Sequence, residues 1–211
     1  MIKRILLVLS FTLAAALAMA QPDFYHRPGF LAGRTVLTLA LFDEVQTELK
    51  TPADFKEKSE ALLTKMQGEI QELFQNASGD FGSIRPAIDK VNAKYDEEAF
   101  KLLTVDQVKR IKELFIQFNG AAAVPHAAIS KDLGVTDDQM TKIKAAQDAN
   151  TKKLIESFGN GGSPEEGRKA IEKLQDELKA DIDKLLTDEQ KAKFKDMQGA
   201  KFEFKKVAPA G

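Results

Sequence analysis

The chain has 211 residues, with 31 Lys+Arg against 32 Asp+Glu, 14 Phe, and neither Cys nor Trp. Without cysteine, a disulfide scaffold, a Cys-based zinc site, a cysteine nucleophile and an iron–sulfur centre are excluded. Lys3 and Arg4 are the only charges in the first 20 residues, so the other 191 carry 29 basic against 32 acidic side chains. That mildly acidic balance gives no global electrostatic reason to bind nucleic acid or anionic lipid.

Residues 1–20 have the form of a secretory signal peptide. Lys3 and Arg4 make a positive start, Ile5 to Ala18 an apolar stretch, and Ala18-Met19-Ala20 a small-residue cleavage site, so an exported chain with Gln21 first is expected. No later stretch is long and apolar enough to span a bilayer, so no integral membrane segment is expected after cleavage. Residues 21–33 read as an extended arm. An exported chain without disulfides draws its stability from helix packing and caps.

From residue 34 the apolar spacing is helical almost throughout, and the expected fold is all-α. Phe55, Leu62, Met66, Ile70 and Leu73 form one stripe; Ile84, Ile88, Val91, Tyr95 and Leu102 a second; Val105, Val108, Ile111, Leu114, Phe115 and Phe118 a third. Ile171, Leu174, Leu178, Ile182 and Leu185 follow at spacings suited to a helical hairpin or coiled coil. Turns are marked by Gly79-Asp80-Phe81-Gly82, Asn119-Gly120, Gly134 and Asn160-Gly161-Gly162-Ser163-Pro164. The second half restates the first. Phe74-Gln75-Asn76 matches Phe158-Gly159-Asn160, and Leu102 to Gln107 matches Leu185 to Gln190. Glu48 to Thr51 matches Asp132 to Thr136 with one insertion. The expected organisation is two tandem homologous units, 34–118 and 119–204, each built on a long antiparallel hairpin with a short closing helix, then a tail from 205 to 211. Across the junction with that tail, Phe202-Glu203-Phe204-Lys205-Lys206 alternates, as a docking segment would.

Thr104-Val105-Asp106-Gln107, Thr136-Asp137-Asp138-Gln139 and Thr187-Asp188-Glu189-Gln190 share one pattern, each after Leu103, Val135 or Leu186. A capping box explains it: the Thr hydroxyl accepts from a first-turn amide, the Gln reaches back to the Thr amide, and the acids between them suit the helix dipole. A fourth copy, Thr51-Pro52-Ala53-Asp54, is expected to keep the Thr cap, set Pro52 first in the helix and replace Gln with Asp54. These motifs mark helix starts, so Thr51, Asp54, Thr104, Gln107, Thr136, Gln139, Thr187 and Gln190 are structural residues.

Leu-Thr-x-x-Gln repeated at helix starts in an exported, charge-rich, all-helical chain resembles the LTxxQ-motif family of bacterial envelope proteins. The match is fullest at Leu103 to Gln107 and Leu186 to Gln190; Val135 stands for Leu in the third copy, and the copy at Thr51 lacks the Gln. The resemblance implies a thin, often dimeric helical frame acting as an ATP-independent chaperone or envelope-stress protein. Its partners are then unfolded or partly folded proteins and a second copy of the chain. Two fused units put dimerisation in doubt, since one polypeptide can do internally what two subunits do elsewhere. A structural or regulatory module for one envelope partner is the alternative.

Catalytic constellations are missing from the sequence. His26 and His126 are the two histidines and do not correspond in the repeat, so neither a His base nor a clustered metal site is expected, and no cofactor. Acids such as Asp96-Glu97-Glu98 and Asp181 with Asp183 read as solvated helix faces paired with nearby Lys. No G-x-G-x-x-G, Walker A, H-E-x-x-H or G-x-S-x-G occurs, and the Gly159 to Gly162 stretch lacks the Lys of a phosphate loop. Of the phenylalanines, Phe55, Phe74, Phe115, Phe118, Phe158 and Phe194 lie on stripes and are expected mostly in the core.

Overall fold

The computed structural model describes residues 34–77, 84–159 and 164–205. The expected signal sequence, the expected arm with His26, the turns expected at Gly79 to Gly82 and at 160–163, and the end of the tail lie outside the described residues. Within them the chain is all-α, with nine α-helices, one 3₁₀ turn and no strand. The helices are α1 (Val36–Ala40), α2 (Asp43–Leu49), α3 (Phe55–Asn76), α4 (Arg85–Phe100), α5 (Val105–Asn119), α6 (Ala127–Leu133), α7 (Asp137–Gly159), α8 (Pro164–Leu185) and α9 (Asp188–Asp196). The 3₁₀ turn is Gly120–Ala123.

The described chain divides into two compact units, 34–111 with 203–205, and 112–202, the division falling inside α5. In the first unit α3 packs along α4, and α1 lies against both. Leu37, Leu41, Leu63, Met66, Tyr95 and Ala99 form the buried cluster, with Leu62, Ile70 and Val91 at its edge. Every residue of α1 is buried. A helix apolar all round has to be enclosed, and its N–H groups then need partners. Thr35 and Thr38 supply one capping box, and the Asp96 carboxyl on α4 accepts from the Leu37 N–H at 2.8 Å. Asp96 is therefore not on a solvated face: it is 1% exposed, because the open end of α1 sits against it.

In the second unit α7 packs along α8, and the 3₁₀ turn also lies on α8. Ala121, Val124, Leu133, Ile143, Ile182 and Leu186 form its core, edged by Val135, Leu178, Leu185, Phe194 and Met197. Helix α8 begins at Pro164, where the fixed φ of proline suits a first helical residue.

The stripes hold with local shifts. Helix α3 buries Phe55, Ser59, Leu63 and Met66, so its inner face is centred on Leu63 and leaves Leu62 at the margin. Val105 is 86% exposed, because it opens α5 at the surface before the buried face starts at Ile111. Of the six phenylalanines expected in the core, Phe55 and Phe115 are fully buried, Phe118 and Phe194 half-buried, and Phe74 is 38% exposed near the end of α3. The Phe158 side chain lies outside the described residues.

Candidate functional site

Three Thr-x-x-Gln motifs form reciprocal caps. The Gln107, Gln139 and Gln190 amides donate to the hydroxyls of Thr104, Thr136 and Thr187 at 3.3, 3.2 and 3.1 Å. Each Gln Oε1 accepts from its own Thr N–H at 2.9, 3.0 and 3.0 Å. The boxes open α5, α7 and α9.

The glutamines do more than cap. A carboxamide carries two N–H donors, and a capping box uses neither. In the first unit Gln107 Nε2 donates to the carbonyls of Leu49, at 2.8 Å, and Lys50, at 3.3 Å, which end α2. In the second, Gln190 Nε2 donates to Gly134 O at 2.9 Å, just past α6, and Gln139 Nε2 to Leu185 O at 2.8 Å, at the end of α8. Gln139 and Gln190 also pair with each other, at 2.7 and 3.0 Å, so both donors and both acceptor positions of each amide are engaged. One side chain thus closes the start of its own helix and the end of another, where carbonyls would lack partners. The sequence signal for this was the choice of Gln over Glu, since either closes a capping box and only Gln has a hydrogen to give.

The copy at Thr51 folds differently. Helix α3 starts at Phe55, with Asp54 in the cap position and no side-chain cap bond. A turn from Pro52 to Phe55 intervenes, so Thr51 caps nothing and Pro52 lies outside the helix. The Asp54 carboxylate instead holds Lys58 one turn on, at 2.6 Å, and that bond lowers its pKa from the usual 3.8. The pair recurs 84 positions later as Asp138 with Lys142, at 2.7 Å. In that register Asp54 stands opposite Asp138 rather than Gln139, one residue away from the alignment that the Thr residues suggest.

Other contacts repeat at the same period. Each long hairpin is tied by a lysine–glutamate pair: Glu69 on α3 with Lys94 on α4 at 2.6 Å, and Lys153 on α7 with Glu177 on α8 at 2.7 Å. Glu69 and Lys153 are 84 positions apart, Lys94 and Glu177 83, and the charges are exchanged. The Lys94 ammonium, with the Tyr95 hydroxyl at 2.8 Å, holds the Glu69 carboxyl below its ordinary 4.5. Glu69 raises Lys94 above 10.5, and burial together with Glu69 pushes Tyr95 above 10.0. Likewise Lys153 lowers Glu177, and Glu177 raises Lys153. The pairs Glu98 with Lys101 and Asp181 with Lys184, 83 positions apart, follow at the ends of α4 and α8.

Between α7 and α8 lies a shallow, open trough of about 360 Å³, floored by Ala170 and Leu174 and edged by Lys153, Lys173, Glu177 and Ser157. Its rim is charged and its floor apolar. His126 precedes α6 with its ring 4.7 Å from that of Phe115, a packing position. Among the described residues no group of three His, Asp or Glu is placed to hold a metal ion, and no helix is long and apolar enough to cross a membrane. No family model, curated protein or solved structure matches the chain.

Proposed function

We propose that this is an exported, non-enzymatic helical protein of the LTxxQ kind, built by tandem duplication, that holds unfolded or partly folded proteins in the periplasm without ATP. Support for the duplication is the recurrence, at 83 to 84 positions, of one tertiary geometry. A cap glutamine bonds the residues ending a short helix, and a lysine–glutamate pair ties the hairpin that follows. Charge exchange across the second feature means that the geometry is repeated and the residue identities are not.

The observation that carries client holding is the trough on α7 and α8. Its apolar floor is too open to enclose a small molecule, and its charged rim suits passing segments of varied sequence. The partly exposed Phe74 adds apolar surface to the other hairpin. The test is light scattering from an aggregating client mixed with the purified chain beginning at Gln21, without nucleotide. Scattering should fall as the chain approaches equimolar amounts; undiminished scattering at severalfold excess refutes the reading. N-terminal sequencing of the product recovered from the periplasm should begin at Gln21.

A further inference from the structure

The chemistry of the trough on α7 and α8 recurs on the other hairpin. Ala170 and Leu174, which floor it, correspond to Ala87 and Val91 on α4, 83 positions earlier, and Ser157 at its edge to Leu73 on α3, 84 earlier. The tie between Glu69 and Lys94 sets those two positions side by side, so one turn further along the antiparallel pair Leu73 faces Lys90 and Val91. Leu73, Ala87 and Val91 are half-buried, which leaves apolar surface there as well.

The charges recur too. At the trough the ammoniums of Lys153 and Lys173 share one carboxylate, Glu177, at 2.7 and 3.9 Å. On the first hairpin the tie is reversed, and Lys90 stands where the second has Lys173. Reversal preserves the sum, two lysines against one glutamate on either strip. The lysine with the looser hold is the available one. Lys173 is 78% exposed and beyond hydrogen-bond distance of Glu177, and Lys90 is exposed and makes no ion pair among the described residues. An apolar strip with an available cation differs from its surroundings on a chain that carries 29 basic against 32 acidic side chains after residue 20.

We propose that each hairpin carries one docking strip, centred on Lys90 and Val91 in the first unit and on Lys173 and Leu174 in the second. Both take client segments in which an aliphatic or aromatic side chain lies beside an Asp or Glu. The inference rests on the client-holding reading and names the class of segment held. An exposed ion pair alone adds little affinity. Here the apolar contact places the carboxylate, and a basic segment meets two lysines instead, so the strip discriminates by repulsion as well as attraction.

Two peptides of one length serve as probes, the first with Leu and Phe alternating with Glu, the second with Lys in place of every Glu. Titrated into the full chain and read by calorimetry, the acidic peptide should bind about fivefold more tightly or better, at two sites per chain. Non-specific attraction to an acidic chain would favour the basic peptide, so the order of affinities is diagnostic. Lys90→Glu and Lys173→Glu should each remove one site, and the two changes together both sites. Lys90→Arg and Lys173→Arg keep the charge and should leave two, which separates loss of charge from a disturbed helix. The proposal is overturned if the basic peptide binds as tightly as the acidic one, if the parent chain has a single site, if either Glu variant keeps two, or if the Arg variants lose them. Client holding is scored separately, by light scattering. Suppression of scattering with no preference between the peptides sinks the strips alone. Two charge-selective sites with no suppression sink the chaperone reading and leave the strips standing.

Discussion

At the scale of single residues, the Thr-x-x-Gln motif is explained by the geometry of one carboxamide. Its oxygen satisfies the first amide of its own helix, and its nitrogen satisfies the last carbonyls of another. Replacing Gln107 by Glu separates the two roles, because Glu completes a capping box and cannot donate. If the cap alone mattered, Gln107→Glu would be neutral. The expected outcome is a loss of about 1–3 kcal/mol, since two carbonyls lose their donor and face a carboxylate. Urea unfolding of the purified chain measures it. A second residue-scale expectation concerns the ends that these glutamines close. Gly134 has φ 74°, where glycine meets no steric penalty; Lys50, which ends α2, has φ 51°. Lys50→Gly should raise stability by roughly 0.5–1 kcal/mol, because a side chain in the left-handed region carries strain that glycine lacks. An unchanged or lowered thermal midpoint would contradict it. Capping boxes were legible because their atoms lie within four residues of each other. The acceptors of the second donors were not, since Leu49 lies 58 positions from Gln107.

At the scale of elements, each hairpin is an apolar stripe on two helices with a charged tie across its solvent edge. The stripes were readable as periodicity, whereas Asp96 was not. An acid on a helix faces water or a buried partner according to what lies opposite, and its partner is the Leu37 amide 59 positions away. The start of α3 misled for a local reason: Pro52 and Asp54 look like a capped first turn, but Asp54 is committed to Lys58. The ties make a sharper prediction. Glu69 and Glu177 have folded pKa values below 4.5, so their contribution is complete above that value and is lost as pH falls through the lowered values. Lys94 and Lys153 lie above 10.5, so theirs is complete below that value and is lost as pH rises through the raised ones. Because the second hairpin carries the reversed pair, the double exchange Glu69→Lys with Lys94→Glu should restore the urea midpoint that Glu69→Lys alone lowers. The single variant should also show a shallower loss of stability on acidification. A double variant no more stable than the single would show that the tie contributes nothing, as is common for exposed pairs.

At the scale of the whole molecule, each unit has a buried cluster of its own, and the division between the units falls within helix α5. Leu63 and Met66 belong to one buried cluster, Ile143 and Ile182 to the other. Helix α5 gives Ile111 to the first unit and Leu114 and Phe115 to the second, all essentially fully buried and without a break in the helix. The sequence repeat suggested an end to the first unit after Phe118, at a change of element. The contact pattern divides inside α5, which a repeat period cannot reveal, because burial on each side of one helix is a tertiary property. A helix forms cooperatively, so the two halves of α5 melt together. The expected behaviour is therefore a single unfolding transition. Leu63→Ala and Ile182→Ala, each costing about 2–5 kcal/mol, should shift that same transition. Their effects should add, because the two sites share no packing partner. Two transitions in urea, each moved by one substitution and untouched by the other, would instead show that α5 joins the units without coupling them. Circular dichroism alone cannot separate these outcomes in a chain that is helical throughout. Hydrogen exchange can, since it follows amides on α4 and α8 separately and reads the opening free energy of each hairpin.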